Sequence, residues 1–258
     1  MGRWLLLWGW LGAAWGAGNV LEEARLVEGW QPGGGARVMT LSTAAGEFSA
    51  VLDEAPTRRM KGLAILLPGA GERADAGVMR ALRRGLPPHG WSTLSLQLPV
   101  LEPEAEPQEY WDLLAPAAGR IAAAVARMKA AGVTNIALLG HGFGGTVVLR
   151  YLSGGSDEAV RAAALLSPWW PAAHEDALET WAKAGTLPVL DVYAKRDDRA
   201  VRRSAPRRRL LFKSRDGFRQ WRVSGVGHHY RGRETWLVKR IYGWLQRVAP
   251  GEEVHDDE

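Results

Sequence analysis

The sequence predicts an α/β fold with a mostly parallel central sheet, helices on both faces and an antiparallel hairpin at the N-terminal end. The first observation is that strand-length apolar runs alternate with helical patterns from Gly62 onward, as in consecutive β-α units. The second is the stretch 132–152, where closely spaced glycines join an apolar strand to a helical pattern. The third is a pair of strand-like runs at 36–42 and 47–52, whose predicted turn favours a hairpin.

The remaining elements each have a local signal. Pro99 ends the strand that begins at Trp91, Gly132 ends a long amphipathic helix, and Pro188 precedes another strand. The predicted helices are 20–29, 78–86, 110–131, 146–152 and 235–248, with an arginine-rich helix interrupted at Pro206. The predicted strands are 62–67, 91–98, 135–139, 162–166, 189–193 and 218–223. Because ligands bind at the carboxyl ends of parallel strands, we expect the loops that follow these strands to form one crevice.

The composition is that of a chain with a full hydrophobic core. Its 258 residues are 47% hydrophobic and 24% charged, which suits one large α/β domain, predicted here over 19–250. The absence of cysteine excludes disulfides, thiol catalysis and cysteine metal sites, but it does not determine the compartment. The last segment, 251–258, contains five acidic residues and is predicted to be an acidic tail.

The N-terminal segment 1–18 has the architecture of a signal peptide. A basic start at Arg3 precedes an apolar run over 4–15 and then small residues, and this run is shorter than the about 20 residues of a bilayer span. Cleavage after Gly16 or Gly18 would satisfy the preference for small residues at the cleavage site. We therefore expect a periplasmic or secreted protein. The alternative is an uncleaved anchor or a buried N-terminal helix.

The central glycine turn matches a known catalytic pattern at every position except one. Gly140-His141-Gly142-Phe143-Gly144 has the spacing G-x-S-x-G of a nucleophile elbow, with glycine in place of serine. The same stretch also matches the dinucleotide fingerprint G-x-G-x-x-G. That alternative is disfavoured because several predicted strands precede the turn and no acidic residue ends the next strand.

Along nearly all of its predicted mature length, the chain resembles the α/β-hydrolase superfamily. More narrowly, it is similar to a bacterial family of exported α/β-hydrolase-like proteins that is labelled only as a domain of unknown function. In that family, glycine is also expected at the elbow. The segments that carry the resemblance are LLPGAGE (66–72), GWSTLSLQLP (90–99), LLGHGFGG (138–145), PVLDVYAKRDD (188–198) and GHHYRGRETWLVKRIYGWL (227–245).

The resemblance implies a triad without its nucleophile. The histidine role falls on His228, and the acid role falls on Asp197, with Asp198 as an equally plausible register. Gly142 occupies the nucleophile position and has no side chain. The implied oxyanion and ligand-binding residues are Ala70 and Phe143, through their backbone amides, together with His141.

Two functional hypotheses follow from these residues. The first is a binding or accessory protein for an acyl or anionic ligand. The second is a weak or unusual ester hydrolase in which His228 and Asp197 activate water or another nucleophile, with His141 and Thr146 the nearest candidates. Trp169, Trp170 and Trp181 either line an apolar pocket or pack beneath a helix. No cofactor and no metal are expected, because histidine and carboxylate spacings that form metal sites are missing.

The basic residues are concentrated in one region. The formal net charge is +5, and twelve Lys or Arg residues lie between Lys195 and Arg222. Such clustering is typical of contact with an anionic partner. An anionic lipid surface is the expected partner, and a solvated helix face is the alternative; no nucleic acid is expected, because no recognition motif is present. The residues assigned to this surface are Arg202, Arg203, Arg207, Arg208 and Arg209.

The N-terminal segment leads to a direct prediction. Protein purified from its native cells is expected to begin after Gly16 or Gly18, because the segment is removed on export. Intact-mass spectrometry of the purified protein measures this. A mature chain that still begins at Met1 would contradict the prediction.

Overall fold

The computed structural model describes residues 18–28, 30, 32–57 and 60–251. Within them the chain forms an eight-stranded sheet in the order β1-β2-β4-β3-β5-β6-β7-β8. The first strand pairs antiparallel with the second, the second pairs antiparallel with the fourth, and the remaining neighbours are parallel. The strands are β1 (Arg37–Thr43), β2 (Gly46–Asp53), β3 (Gly62–Leu67), β4 (Trp91–Leu96), β5 (Ile136–His141), β6 (Val160–Leu166), β7 (Val189–Arg196) and β8 (Arg219–Gly227).

Helices cover both faces of the sheet. They are α1 (Val20–Val27), α2 (Gly77–Gly85), α3 (Leu114–Ala130), α4 (Phe143–Ser153), α5 (Glu175–Lys183), α6 (Arg199–Phe212) and α7 (Glu234–Val248). Ile121 of α3 and Val147 of α4 are buried in the core on one face, and Met79 of α2 and Ile241 of α7 are buried in the core on the other. The central strands are buried on both sides, which explains why β3 and β5 have nearly continuous apolar sequences.

The predicted fold class is confirmed: the sheet is mostly parallel and begins with an antiparallel hairpin. The predicted signal peptide and acidic tail lie outside the described residues, apart from Gly18 and Gly251. In the described part of the chain, no helix combines the length and the apolar character needed to cross a membrane.

Two helices differ from the prediction because of proline. The predicted helix over 110–131 begins instead as a 3₁₀ segment at Pro107–Leu113, and α3 starts at Leu114. Pro116 therefore lies in the first turn of α3, where a missing N–H leaves no hydrogen bond unmade. The predicted interruption at Pro206 was wrong, because α6 continues through it. Its buried side chains, including Val201 and Phe212, hold the helix on either side of the exposed proline.

The assignment of Arg208 to a basic surface was also wrong. The side chains of Arg208 and Asp191 are both fully buried, and Arg208 Nε donates to Asp191 Oδ2 at 3.0 Å. Gln220 donates to the same carboxylate oxygen at 2.7 Å. The pair therefore attaches α6 to β7 and β8, and the helix begins just after the loop that follows β7. Arginine spacing alone cannot separate the inner face of such a helix from its outer face.

The turn between β5 and α4 is packed against the loop after β3 with no space for side chains. Gly144 N donates to Pro68 O at 3.0 Å. A Cβ on Gly144 would lie 2.3 Å from Leu67 O, and a Cβ on Gly140 would lie 2.3 Å from Gly144 O. Glycine at 140 and 144 is therefore required by close backbone approach.

Substituting alanine at two helical glycines tests this packing. Gly144→Ala is expected to lower the free energy of unfolding by about 1–3 kcal/mol, because the new methyl group overlaps the Leu67 carbonyl. Gly119→Ala in α3 is the matched control, because its Cβ would meet no atom within 4 Å. It should raise the free energy by up to about 1 kcal/mol through helix propensity. Urea unfolding measures both values, and equal effects would show that the close approach is not limiting.

Candidate functional site

The nucleophile position lies in a strained turn that glycine occupies without cost. Gly142 precedes α4 with φ 52° and ψ −116°, a conformation that residues with side chains rarely adopt. Its N–H donates to Leu166 O at 2.9 Å, and its carbonyl accepts from Trp169 N at 3.1 Å. The elbow geometry is therefore held by neighbouring backbone, although the side chain that it normally presents is absent.

The loops after β7 and β8 bring the predicted acid and histidine together. His228 Nδ1 lies 2.7 Å from Asp197 Oδ1, and Asp197 is fully buried. The second carboxylate oxygen of Asp197 accepts from Ala194 N at 2.8 Å and from the Ser167 hydroxyl at 2.5 Å. Asp198 lies farther away, at 3.6 Å from the same imidazole nitrogen, and its side chain is 64% exposed. Of the two registers, the geometry thus places Asp197 in the hydrogen bond.

Burial and hydrogen bonding act in opposite directions on this pair. Burial raises the pKa of Asp197, but the hydrogen bonds from His228, Ser167 and Ala194 outweigh it and leave the pKa below its ordinary value. Burial lowers the pKa of His228, but the hydrogen bond and the charge of Asp197 outweigh it and leave the pKa raised. The carboxylate therefore stays ionised and favours a proton on the imidazole.

Ser167 and Tyr230 complete the support of Asp197, and the sequence reading did not assign a role to either. Ser167 Oγ lies 2.7 Å from the Tyr230 hydroxyl, which donates to Val192 O at 3.0 Å. Tyr230 is fully buried, and burial raises its pKa well above the usual range. Both residues have a positive φ, 48° for Ser167 and 53° for Tyr230. The sequence signal that could have identified Ser167 is its position directly after β6, because the site lies at the carboxyl ends of the strands.

No hydroxyl replaces the missing serine among the described residues. His228 Nε2 has no hydrogen-bond partner there, and it lies 3.3 Å from the place that a Cβ on residue 142 would take. The hydroxyl of Thr146, considered above as a displaced nucleophile, donates to the Trp169 carbonyl. A serine at 142 would bring its oxygen close to His228 Nε2, and glycine offers no oxygen at this position.

A cavity of about 190 Å³ opens beside Gly142. Neither Ala70 N–H nor Phe143 N–H has an acceptor among the described residues. The two predicted oxyanion donors are thus both free next to the cavity. Trp169 contributes to the lining, whereas Trp170 is fully buried in the core. The lining residues are Gly69, Ala70, Glu72, Pro107, Gly142, Phe143, Trp169, Asp198, His228 and His229.

Glu72 is a third residue of the site to which the sequence analysis assigned no role. Its Oε2 accepts from Gly69 N at 3.0 Å and lies 3.6 Å from His141 Nδ1, while Oε1 lies 3.5 Å from His229 Nδ1. Burial raises the pKa of Glu72, but His141, the Gly69 amide and His229 together lower it to about 2. His141, predicted as a ligand-binding residue, is buried beside this carboxylate and does not line the cavity. An ionised carboxylate therefore lies in the lining of the cavity.

The sheet order and the elbow are those of an α/β-hydrolase-fold protein, and solved structures of esterases share this fold. Est1E from Butyrivibrio proteoclasticus is 17% identical, with a TM-score of 0.65 over 81% of this chain and 98% of its own. The esterase Pf2001 from Pyrococcus furiosus is 14% identical, with a TM-score of 0.66 over 85% of this chain and 94% of its own. The esterase domain of a Rhodothermus marinus protein is 14% identical, with a TM-score of 0.63 over 83% and 99%. At these identities the likeness shows the fold.

Within this class, the chain belongs to the family described as protein of unknown function (DUF3530). The sequence profile of that family matches residues 34–118 and 117–247. The expected membership in an α/β-hydrolase-like family without an assigned function is thereby confirmed, while glycine at the family's elbow stays a prediction. A comparison with curated proteins gave no match.

Replacing each carboxylate separately tests which one orients the imidazole. Asp197→Asn should lower the pKa of His228, because the charge and hydrogen bond that raise it are weakened while burial still lowers it. Asp198→Asn is the control and should lower the pKa less, since its carboxylate is farther away and exposed. NMR titration of the imidazole in metal-free buffer measures both. A larger effect from Asp198→Asn would reverse the assignment.

Proposed function

We propose that this protein is a binding or accessory protein that holds a neutral acyl group in a hydrolase frame and lacks serine-hydrolase activity. The observation that carries the proposal is the elbow itself. Gly142 lies at the nucleophile position of the elbow, in a strained backbone conformation. His228 Nε2 lies 3.3 Å from the place that a Cβ on residue 142 would take, and glycine provides no hydroxyl there. Acyl transfer in this fold needs an oxygen nucleophile that histidine activates, and that group is absent from the elbow.

Two free amides support an acyl ligand. The N–H groups of Ala70 and Phe143 lie in residues that line the cavity, and both lack acceptors among the described residues. Phe143 is also the first residue of α4, where the helix dipole adds partial positive charge. A carbonyl oxygen is the group that such donors bind.

The carboxylates in the cavity lining favour a neutral ligand. The sequence analysis left an anionic ligand open as the other possibility. Glu72, with a pKa of about 2, remains ionised at neutral pH beside the two amides. Asp198 also lines the cavity, and its side chain is largely exposed at the mouth. A ligand carboxylate brought into this space would be repelled by these two side chains, whereas an ester or amide carbonyl would not.

A weak hydrolase is the second candidate function. The observation in its favour is the Asp197–His228 hydrogen bond of 2.7 Å, which leaves Nε2 facing an open cavity. A water in that cavity could be activated by the imidazole, because sites without their nucleophile retain the residual rate of the oxyanion donors and binding.

The proposal includes export of the protein, which is expected from the signal-peptide pattern of segment 1–18. Asn19 caps α1, with its side-chain oxygen accepting from Glu22 N at 2.9 Å. Cleavage after Gly18 would leave this cap in place at the new N-terminus. We place the mature protein in the periplasm or outside the cell, where neutral acyl compounds are accessible.

The other four arginines assigned to the basic surface form the proposed contact with anionic lipid. Arg202, Arg203, Arg207 and Arg209 are exposed. Arg207 pairs with Glu179, and Arg203 lies 3.8 Å from Glu175, so acidic residues of α5 reduce the charge of this face. Any lipid contact should therefore be weak and should decrease as salt is added.

Restoring the nucleophile tests the proposed function. Wild-type protein should give no His228-dependent turnover of p-nitrophenyl esters, whereas Gly142→Ser should gain turnover, because its oxygen comes within reach of His228 Nε2. Gly142→Ala is the matched control, since it introduces the same backbone strain of about 1–3 kcal/mol without an oxygen. Gly142→Ser should exceed the control by at least about 100-fold, and His228→Ala should abolish the gain.

Two outcomes would contradict the proposal. Turnover by the wild-type protein that His228→Ala removes would favour the weak hydrolase. Silence of Gly142→Ser, with a folded protein shown by circular dichroism, would mean that the cavity does not hold an ester carbonyl in reactive geometry.

A further inference from the structure

We propose that Glu72, His141 and His229 form a binding site for a divalent transition metal ion of the Zn²⁺ type at the edge of the cavity. One nitrogen of each histidine and one carboxylate oxygen lie within 4.8 Å of one another. This inference does not depend on the free amides or on His228, and it has a different measurement; the two proposals share only Glu72, whose charge a bound cation would offset.

The tautomer of His141 provides the first argument. Its Nε2 lies 3.1 Å from the backbone carbonyl oxygen of His228. A carbonyl oxygen only accepts hydrogen bonds, so Nε2 carries the hydrogen, and in the neutral ring the lone pair is then on Nδ1. An imidazole that donates one N–H to a backbone carbonyl and directs the other nitrogen inward has the usual arrangement of a metal-binding histidine.

The environment of His141 Nδ1 provides the second. This atom is buried, has no hydrogen-bond partner among the described residues, and belongs to a side chain that is 1% exposed. Its neighbour is Glu72 Oε2 at 3.6 Å, longer than the about 2.8 Å of a charge-assisted hydrogen bond. A lone pair on Nδ1 would be repelled by the carboxylate, and a cation between the two atoms, whether a proton or a metal ion, removes that repulsion.

The distances also agree with coordination. Two ligand atoms about 2.0 Å from a tetrahedral Zn²⁺ are separated by about 3.3 Å. The separation is 3.6 Å for His141 Nδ1 and Glu72 Oε2, and 3.5 Å for His229 Nδ1 and Glu72 Oε1, so each imidazole faces a different oxygen of the same carboxylate, and one ligand atom from each residue lies within 4.8 Å of the others. Two imidazoles and a carboxylate suit Zn²⁺ and leave a fourth position open. Since Glu72 and His229 line the cavity, a metal ion there would be accessible to a ligand within it.

A second group of ligand-type atoms lies nearby but is less suited to a metal. Asp197, Asp198 and His228 also come within 4.8 Å. There the imidazole nitrogen is already hydrogen-bonded to Asp197, and both oxygens of that carboxylate accept further hydrogen bonds. The unpaired nitrogen of that group, His228 Nε2, faces Gly142, and among the described residues the group has no buried unpaired atom of the kind that His141 Nδ1 provides.

The sequence analysis predicted that no metal is bound, because the spacing of histidines and carboxylates along the chain matches no metal-binding motif. The three proposed ligands come from the loop after β3, the end of β5 and the loop after β8, so their positions share no motif. Only the order of the strands in the sheet brings them together.

The test is metal binding to the purified full chain after chelator treatment. Isothermal titration with ZnCl₂ should show one site per chain, and Co²⁺ should give the visible absorption of a tetrahedral complex. Glu72→Gln and His229→Asn should each weaken Zn²⁺ affinity by at least about 100-fold, since loss of a ligand exceeds the cost of a supporting residue. His89→Asn, at a partly exposed histidine stacked on Tyr242, is the matched control and should bind as the wild type does.

Each alternative outcome is distinct. No binding at micromolar Zn²⁺ by folded wild-type protein would overturn the proposal. Loss of binding in His228→Ala but not in His229→Asn would move the site to the other group and overturn the assignment. None of these results bears on whether Gly142→Ser gains esterase activity, so the two proposals can fail separately.

Discussion

The backbone contact between the start of α4 and the loop after β3 is the constraint on which the site depends. Gly144 donates to Pro68 O at 3.0 Å, and the space between the two segments excludes even a methyl group. This contact sets the distance between Phe143 and Ala70, whose amides face the same cavity. It also sets the turn that holds Gly142. Backbone packing therefore determines the geometry of the site, and the side chains are positioned by it.

Around this turn, buried polar groups hold the His228 side chain in one orientation. Asp197 accepts hydrogen bonds from Ser167, Ala194 and His228, and Tyr230 fixes Ser167 in turn. Removing one member would leave a buried carboxylate or hydroxyl without a partner, which is costly. The Asp–His pair thus has a structural role that does not depend on a nucleophile at position 142, and its presence alone does not require catalysis.

The fold and the central turn were predictable because their signals are local. Alternating apolar runs and the glycines at 140, 142 and 144 report strand, turn and helix directly. The Asp197–His228 pair was reached through resemblance, and the structure brings those two side chains together. Glu72, Ser167 and the buried Arg208 could not be predicted, because their roles arise from contacts between distant segments. Charged and hydroxyl side chains show no sequence periodicity that distinguishes a buried hydrogen-bond partner from a solvated side chain.

The conformation of Gly142 is imposed by its neighbours, through hydrogen bonds to Leu166 and from Trp169, and needs no side chain to maintain it. A protein of this kind can lose its nucleophile without refolding and regain it in the same way. Glycine and serine codons can differ by a single base, so a binding protein and an esterase would be separated by one mutational step.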